Sequence, residues 1–374
     1  MNKNLLFALL VLMVTGCSQS PRISEVETVV YNPDDYTNLF TSGLFSKITL
    51  VPLETSSECL IGAIPRLYSS PSGFYIVDFY KQQNAYRFDL DGKFLNSVGR
   101  LGGGPGEYSG IVDFAVEKDG VHIYTGDKTE EFVYSFSGDF LSKKAFDYRS
   151  LGAIPAGDGT WLYLGYLNQD QKERIVKVDT EGKFVMDTLK ADYNIMTSEE
   201  NTPVFTKYGD RIYQRNIWSN QVYLIEGQQI YPLYEFDMGK YQIPQEYYNY
   251  ASPIEAAMSM LSSSFGAVKR FMQNDHFAIT EVYVQRPEGI IMANGIKNLR
   301  TKEWRWFNVD MNRETNALFF WNVQDLTPQD ELICLAAPSA LIHFPNQEIF
   351  ENSELISTLK EEDNPVVIKC TLKR

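Results

Sequence analysis

The most conspicuous candidate for chemistry is a glycine-rich loop, Gly102-Gly-Gly-Pro-Gly106, preceded by Arg100 and followed by Glu107 and Tyr108. Bare backbone amides in such a run could ring an anion. The spacing, however, matches neither the dinucleotide-binding nor the phosphate-loop pattern, no Lys-Ser/Thr pair follows, and the flanks read as strands. The loop is therefore read as a crossover between two structural units. Arg100 can pair with Glu107 there, and Glu107 and Tyr108 can face a channel mouth. No Gly-x-Ser-x-Gly elbow, His-Glu-x-x-His pair, calcium loop or Cys-x-x-Cys pair occurs. His122, His276 and His343 fall in different predicted units, so neither a metal nor a cofactor is expected, and no catalytic residue is assigned.

A second set of candidates is periodic. Asp78, Lys81, Asp127 and Arg215 stand near the ends of predicted second strands, with Tyr80, Lys128, Asn168, Gln169, Asn216 and Glu281 at comparable points. Arranged around a ring, they would either bind a ligand or solvate an opening. Arg66 and Arg270 occupy equivalent points of a first-strand repeat; they hold an anion if that strand lines a channel, or else they face outward. Tyr80, Tyr108, Trp218 and Trp321 offer flat faces for sugars or for internal packing. Carboxylates brought from several units can do acid–base work with no linear motif. A hydrolase or lyase acting on polysaccharide or peptide thus stands as the alternative to a binder without chemistry of its own.

The elements that must position these residues are announced by a glycine-centred hairpin. It reads Asp91-Gly92-Lys-Phe-Leu95, Ser137-Gly138-Asp-Phe-Leu141 and Glu181-Gly182-Lys-Phe-Val185, with a looser copy at Gly227. The glycines are 46, 44 and 45 residues apart, which is the period of four-stranded propeller blades. A second repeat, Gly62-Ala-Ile-Pro, Gly152-Ala-Ile-Pro and Gly266-Ala-Val-Lys, keeps the same phase. Its first interval is 90 residues and its second 114, so about 24 residues are inserted after the fourth blade. Ser252-Pro-Ile-Glu255 is a capping box, and Ile254, Ala257, Met258, Leu261 and Phe265 recur at helical spacing, so the insertion, about 241–265, reads as helix. That helix either packs on the rim or covers the channel. The last blade lacks a strand, which Lys47-Ile-Thr-Leu-Val-Pro-Leu53 can supply from the other end of the chain. The expectation is an all-β fold: one six-bladed β-propeller over 45–374, in four-stranded antiparallel blades, closed by its N-terminal strand.

Residues 1–16 read as an export signal, with Lys3 followed by an apolar stretch too short to span a bilayer. Val14-Thr-Gly-Cys17 resembles a lipobox, which makes Cys17 the lipidated residue and 17–44 a tether. Cys59, Cys334 and Cys370 remain, an odd number that argues against a disulfide framework. The net charge of −14 argues against a nucleic-acid partner.

Val98-Gly-Arg-Leu-Gly-Gly-Gly-Pro-Gly-Glu-Tyr108, with Asp89-Leu-Asp-Gly-Lys-Phe-Leu95 and Glu362-Asp-Asn-Pro-Val-Val367, resembles the six-bladed β-propeller lipoproteins of Bacteroides-type bacteria, themselves similar to NHL-repeat propellers. The resemblance implies the propeller fold and a lipid-anchored place in the cell envelope, expected at the outer membrane with the leaflet open. It brings no reaction with it. The expected partners are the membrane, through the lipid, and a glycan, peptide or envelope protein.

Overall fold

Short runs of apolar residues broken by hairpin turns fold into six four-stranded antiparallel sheets arranged as the blades of a propeller. The computed structural model describes residues 25–32, 42–62, 65–79, 83–125, 129–167, 173–190, 202–216, 218–250, 252–261, 263–310 and 322–374. Cys17, Lys81 and Asp127 lie outside them, as do Tyr80, Lys128, Asn168, Gln169 and Trp321.

From the channel outward, blade one is Pro65–Ser70, Gly73–Asp78, Ala85–Phe88 and Phe94–Ser97. Blade two is Asp113–Glu117, Gly120–Tyr124, Glu130–Tyr134 and Phe140–Ala145, and blade three is Gly152–Ala156, Gly159–Tyr163, Glu173–Val178 and Phe184–Lys190. Blade four is Phe205–Tyr208, Arg211–Asn216, Gln221–Glu226 and Gln229–Asp237; blade five is Phe265–Gln273, Phe277–Arg286, Gly289–Asn298 and Glu303–Asp310. Blade six takes Val323–Leu326, Glu331–Ala336 and Val366–Leu372, and its outer strand is β2 (Phe45–Pro52), paired antiparallel from Phe45↔Leu372 to Pro52↔Val366. The ring thus closes as the unpaired N-terminal alternation implied. The inner strand of blade six is Val323–Leu326, and two 3₁₀ turns, Gln347–Ile349 and Ser353–Thr358, lie between its second and third strands.

Second strands are buried nearly end to end, because each blade is covered on both faces by its neighbours. Tyr75, Val77, Phe114, Ile123 and Phe132 fill the seam between blades one and two, and Leu50, Ile279, Phe307, Leu332 and Ile368 that between blades five and six. Each such side chain contributes about 1.5–3 kcal/mol on burial. The hairpin glycines belong to these seams as well as to their turns. A Cβ on Gly138 would lie 2.2 Å from the carbonyl oxygen of Ser97, and one on Gly92 2.2 Å from that of Pro52. Each tip rests on the outer strand of the preceding blade.

Two features depart from expectation. Within the presumed tether, β1 (Glu27–Val30) adds a fifth strand to blade four, parallel to Gln229–Asp237. Val29 is buried, Tyr31 donates to Asn308 Oδ1 at 3.2 Å and packs at a tilt against Trp306, and Glu27 joins Lys297 and Trp304 of blade five. The helix α1 (Pro253–Leu261) does form, with Ser252 Oγ accepting from Glu255 N at 3.4 Å. Its buried side chains are Ala256 and Met260, however, while Ile254 and Met258 of the predicted apolar face are exposed. It packs with Ile243, Tyr247 and Phe265.

Cys59, Cys334 and Cys370 are buried free thiols. Among the described residues no helix is long and apolar enough to cross a membrane.

Candidate functional site

The six innermost strands surround a cavity of about 390 Å³. Antiparallel order puts every first-to-second-strand turn on one face of the ring and every second-to-third-strand loop on the other. Pro71, Ser72, Lys118 and Gly209, all at or beside first turns, border the cavity, so it opens on the first face. The sequence spacing puts Asp78, Lys81, Asp127 and Arg215 on the opposite face, toward the second-to-third-strand loops. The difference arises because the first strands of blades one, two and four end in Ser70, Glu117 and Tyr208 at the open end, whereas the far end is filled by arginine.

At that far end the cross-strand register sets one layer. Arg66 lies opposite Val77, Asp113 opposite Tyr124 and Arg270 opposite Glu281, each pair separated by ten intervening residues of its hairpin. Arg66 and Arg270 therefore do stand at equivalent points, and both point inward. Arg66 is buried against Asp113, donates to the Phe114 carbonyl oxygen at 3.3 Å and sits 4.8 Å from the ring centroids of Phe79 and Phe114. Asp113 Oδ2 also accepts from Ala153 N at 2.9 Å, tying blades one, two and three. Arg270 Nε lies 3.5 Å from Glu281 Oε2. Burial lowers the Arg270 pKa; Glu281 opposes the shift, and nearby Arg66 and Arg215 reinforce it. Arg215 spends its guanidinium on the carbonyl oxygens of Thr202, Pro203 and Val268 at 3.1–3.2 Å. These three arginines are a cross-braced plug, and of the three only Arg66 touches the cavity.

The other candidates scatter. Asp78 is fully buried, accepting from Gly62 N at 2.9 Å, and is turned into the fold instead of toward an opening. Glu281 lies in the middle of its strand. The Gly102–Gly106 loop holds an anion of its own: Glu107 Oε2 accepts from Gly104 N at 2.7 Å, and Arg100 pairs with the same carboxylate. The Gly104 amide, with Arg100, keeps the Glu107 pKa below the usual carboxylate value despite some desolvation. Tyr108 is fully buried edge-on against Tyr134, so it is packing and not a mouth residue. Trp218 packs on Phe265. The histidines stand apart: His122 with Glu131 and Asp119, His276 with Asp330, and His343 with Glu361.

Sequence reasoning missed the residues that do meet at the open end. Lys207 reaches from blade four to Glu117 Oε1 of blade two at 2.6 Å and to the Pro155 carbonyl of blade three at 3.1 Å. Asp325 of blade six accepts from Ser69 N at 2.9 Å and Ser69 Oγ at 2.7 Å, and from Leu326 N at 2.9 Å. Burial raises the Asp325 pKa even so. Tyr68 lies among them with part of its ring exposed; desolvation of its phenol within the cavity, then Asp325 and Glu117, raise its pKa and keep it protonated. Tyr208 donates to Asp275 at 2.9 Å, and Arg211 also pairs with Asp275. The available signal was the polar alternation at the ends of the first strands, Arg66-x-Tyr68-x-Ser70 and Lys207-Tyr208.

The profile of a family described as "Domain of unknown function (DUF4934)" matches residues 25–371. No curated protein matches the chain by sequence. Among solved structures, a Bacteroides fragilis "putative exported protein" is similar with a TM-score of 0.74 at 15% identity, over 94% of this chain and 100% of that one. The β-propeller domain of Vanderwaltozyma polyspora Nup133 is similar at a TM-score of 0.38 and 11% identity, over 78% of this chain and 81% of that one. The first of these likenesses supports the propeller fold; the second carries no further argument.

Proposed function

Since this chain belongs to the DUF4934 family, whose description assigns no activity, we propose from the channel itself that the protein is a lipid-anchored cell-envelope binder that receives its ligand, a glycan or a protein segment, at the open end of the ring. The observation that carries this reading is the cavity of about 390 Å³, which falls in the range of small-ligand sites and is walled by side chains from all six blades. Export and anchoring are supported by the lipobox-like Val14-Thr-Gly-Cys17, and export alone agrees with the printed name of the Bacteroides fragilis protein of like fold.

Binding is favoured over hydrolysis or lysis because the two carboxylates nearest the mouth are already engaged. Glu117 is ion-paired to Lys207, and Asp325 accepts three hydrogen bonds from Ser69 and Leu326. A general acid or base must reach a substrate proton at hydrogen-bond distance. The test is a thermal-shift titration of the mature protein with fractionated envelope extract, beside a Ser70→Trp variant whose indole fills the mouth. The fraction that raises the melting temperature of the wild type should leave the variant unmoved. Equal shifts in both would place the ligand elsewhere, and cleavage products in the bound fraction would favour the hydrolase or lyase.

A further inference from the structure

We propose that the open end of the channel takes an uncharged sugar, the end of a glycan chain; this rests on the channel reading above and names its ligand class. Charge comes first. The cavity is lined by Arg66, Lys118 and Lys207 against Asp113, Glu117 and Asp325, three of each sign. Arg66 lies on Asp113, Lys207 on Glu117, and Asp325 is satisfied by Ser69 and Leu326, which leaves exposed Lys118 at the rim. Past the rim, where solvated Lys118 stands, an ionic ligand would lose water without meeting an unmatched opposite charge inside the cavity, and such burial is unfavourable. A neutral ligand rich in hydroxyls suffers no such loss. Its oxygens can accept the third proton of Lys207 Nζ, two of which are directed at Glu117 and Pro155.

Shape comes second. The exposed aromatic faces at the mouth are Tyr68 of blade one at 36% and Phe136 of blade two at 38%, with half-buried Tyr208 across the ring on blade four. The C–H face of a sugar ring packs on such surfaces while its equatorial hydroxyls reach the polar groups between them. These platforms come from three blades spaced around the opening. That arrangement suits a compact ring, whereas an extended peptide would run along the edge of one strand.

The experiment is isothermal titration calorimetry of the mature protein with four neutral trisaccharides (maltotriose, cellotriose, mannotriose and triacetylchitotriose), with trigalacturonate as the anionic counterpart and trialanine as the peptide. Saturable binding of at least one neutral trisaccharide is expected. Tyr208→Ala should weaken it about tenfold and Tyr208→Phe less than about threefold, since the ring face remains; Ser70→Trp should abolish it. Binding of trigalacturonate or trialanine alone, lost in Ser70→Trp, would overturn the sugar assignment and leave the channel reading standing. Neutral-sugar binding indifferent to Ser70→Trp and Tyr208→Ala would overturn both. Silence from all six probes would overturn the sugar assignment.

Discussion

Replacing Gly138 by alanine tests whether the recurring hairpin glycine is a contact between blades or only a turn residue. Gly138 has φ +90°, and Gly227, the loosest copy of the repeat, has φ +61°; an L side chain in this half of the map costs about 1–2 kcal/mol in either place. The surroundings differ. At Gly138 the new methyl would fall 2.2 Å from the Ser97 carbonyl oxygen on the outer strand of blade one, whereas at Gly227 nothing lies within 4 Å. Relief at Gly138 requires the tip of blade two to lift off blade one by close to an ångström, an overpacking strain of about 1–3 kcal/mol. Gly138→Ala should therefore destabilise by about 2–5 kcal/mol in all, and Gly227→Ala by about 1–2 kcal/mol. Urea unfolding followed by tyrosine and tryptophan fluorescence reads the difference as a lower midpoint for the first variant. Equal midpoints for the two alanine variants would refute the inter-blade contact and leave only the turn.

Two further outcomes follow from groups already described. Burial disfavours a charge on His122, but its hydrogen bonds to Glu131 and Asp119 outweigh this and raise its pKa; burial likewise opposes the Glu131 charge, yet His122 and Lys144 bring its pKa down to about 2. The raised His122 pKa stabilises the fold fully below the unfolded histidine value of about 6.5 and progressively less as pH rises through the folded value, while the Glu131 contribution is lost only as pH falls toward about 2. Melting temperature should thus fall from pH 6 to pH 9 in the wild type and fall less in His122→Gln; parallel profiles would exclude His122 as the titrating group. For the anchor, Cys17→Ser should move the protein from the membrane to the soluble fraction of envelope extracts, and unchanged membrane association would remove lipidation from the proposal.

Architecture was legible because it is local and repeated. A turn glycine at positive φ every 44–46 residues counts blades, and the alternating Lys47–Leu53 stretch with no blade of its own shows where the ring closes. The candidate site was less legible because it depends on which end of a strand meets which neighbour. Arg66 and Arg270 were correctly aligned with each other, but nothing in their spacing says that Asp113 or Glu281 stands opposite. Glu107 could be paired with Arg100 from sequence, yet its bond to Gly104 N, which turns an apparent anion cradle into a self-filled one, needs the loop's path. Lys207 and Glu117 are 90 residues apart and meet only across the axis. Glu27–Val30 looked like tether because one short strand with a single buried side chain, Val29, carries almost no periodic signal.

The docking of that strand sets the length of the leash. If the chain were slack from Cys17 to Leu44, its 27 residues could extend about 90 Å at ~3.3 Å each. With Glu27–Val30 fixed on blade four, only the ten residue steps from Cys17 to Glu27 remain, a reach of at most about 33–36 Å. A lipid on Cys17 would then hold the ring close to the bilayer by the edge of blades four and five, with little freedom to turn over. Because β1 runs parallel to Gln229–Asp237, a strand that starts from a hairpin on the face where the cavity opens, the chain arrives from that same side. An anchor at Cys17, as proposed above, would share one face of the ring with the mouth, so a ligand would be met in the narrow space beside the membrane.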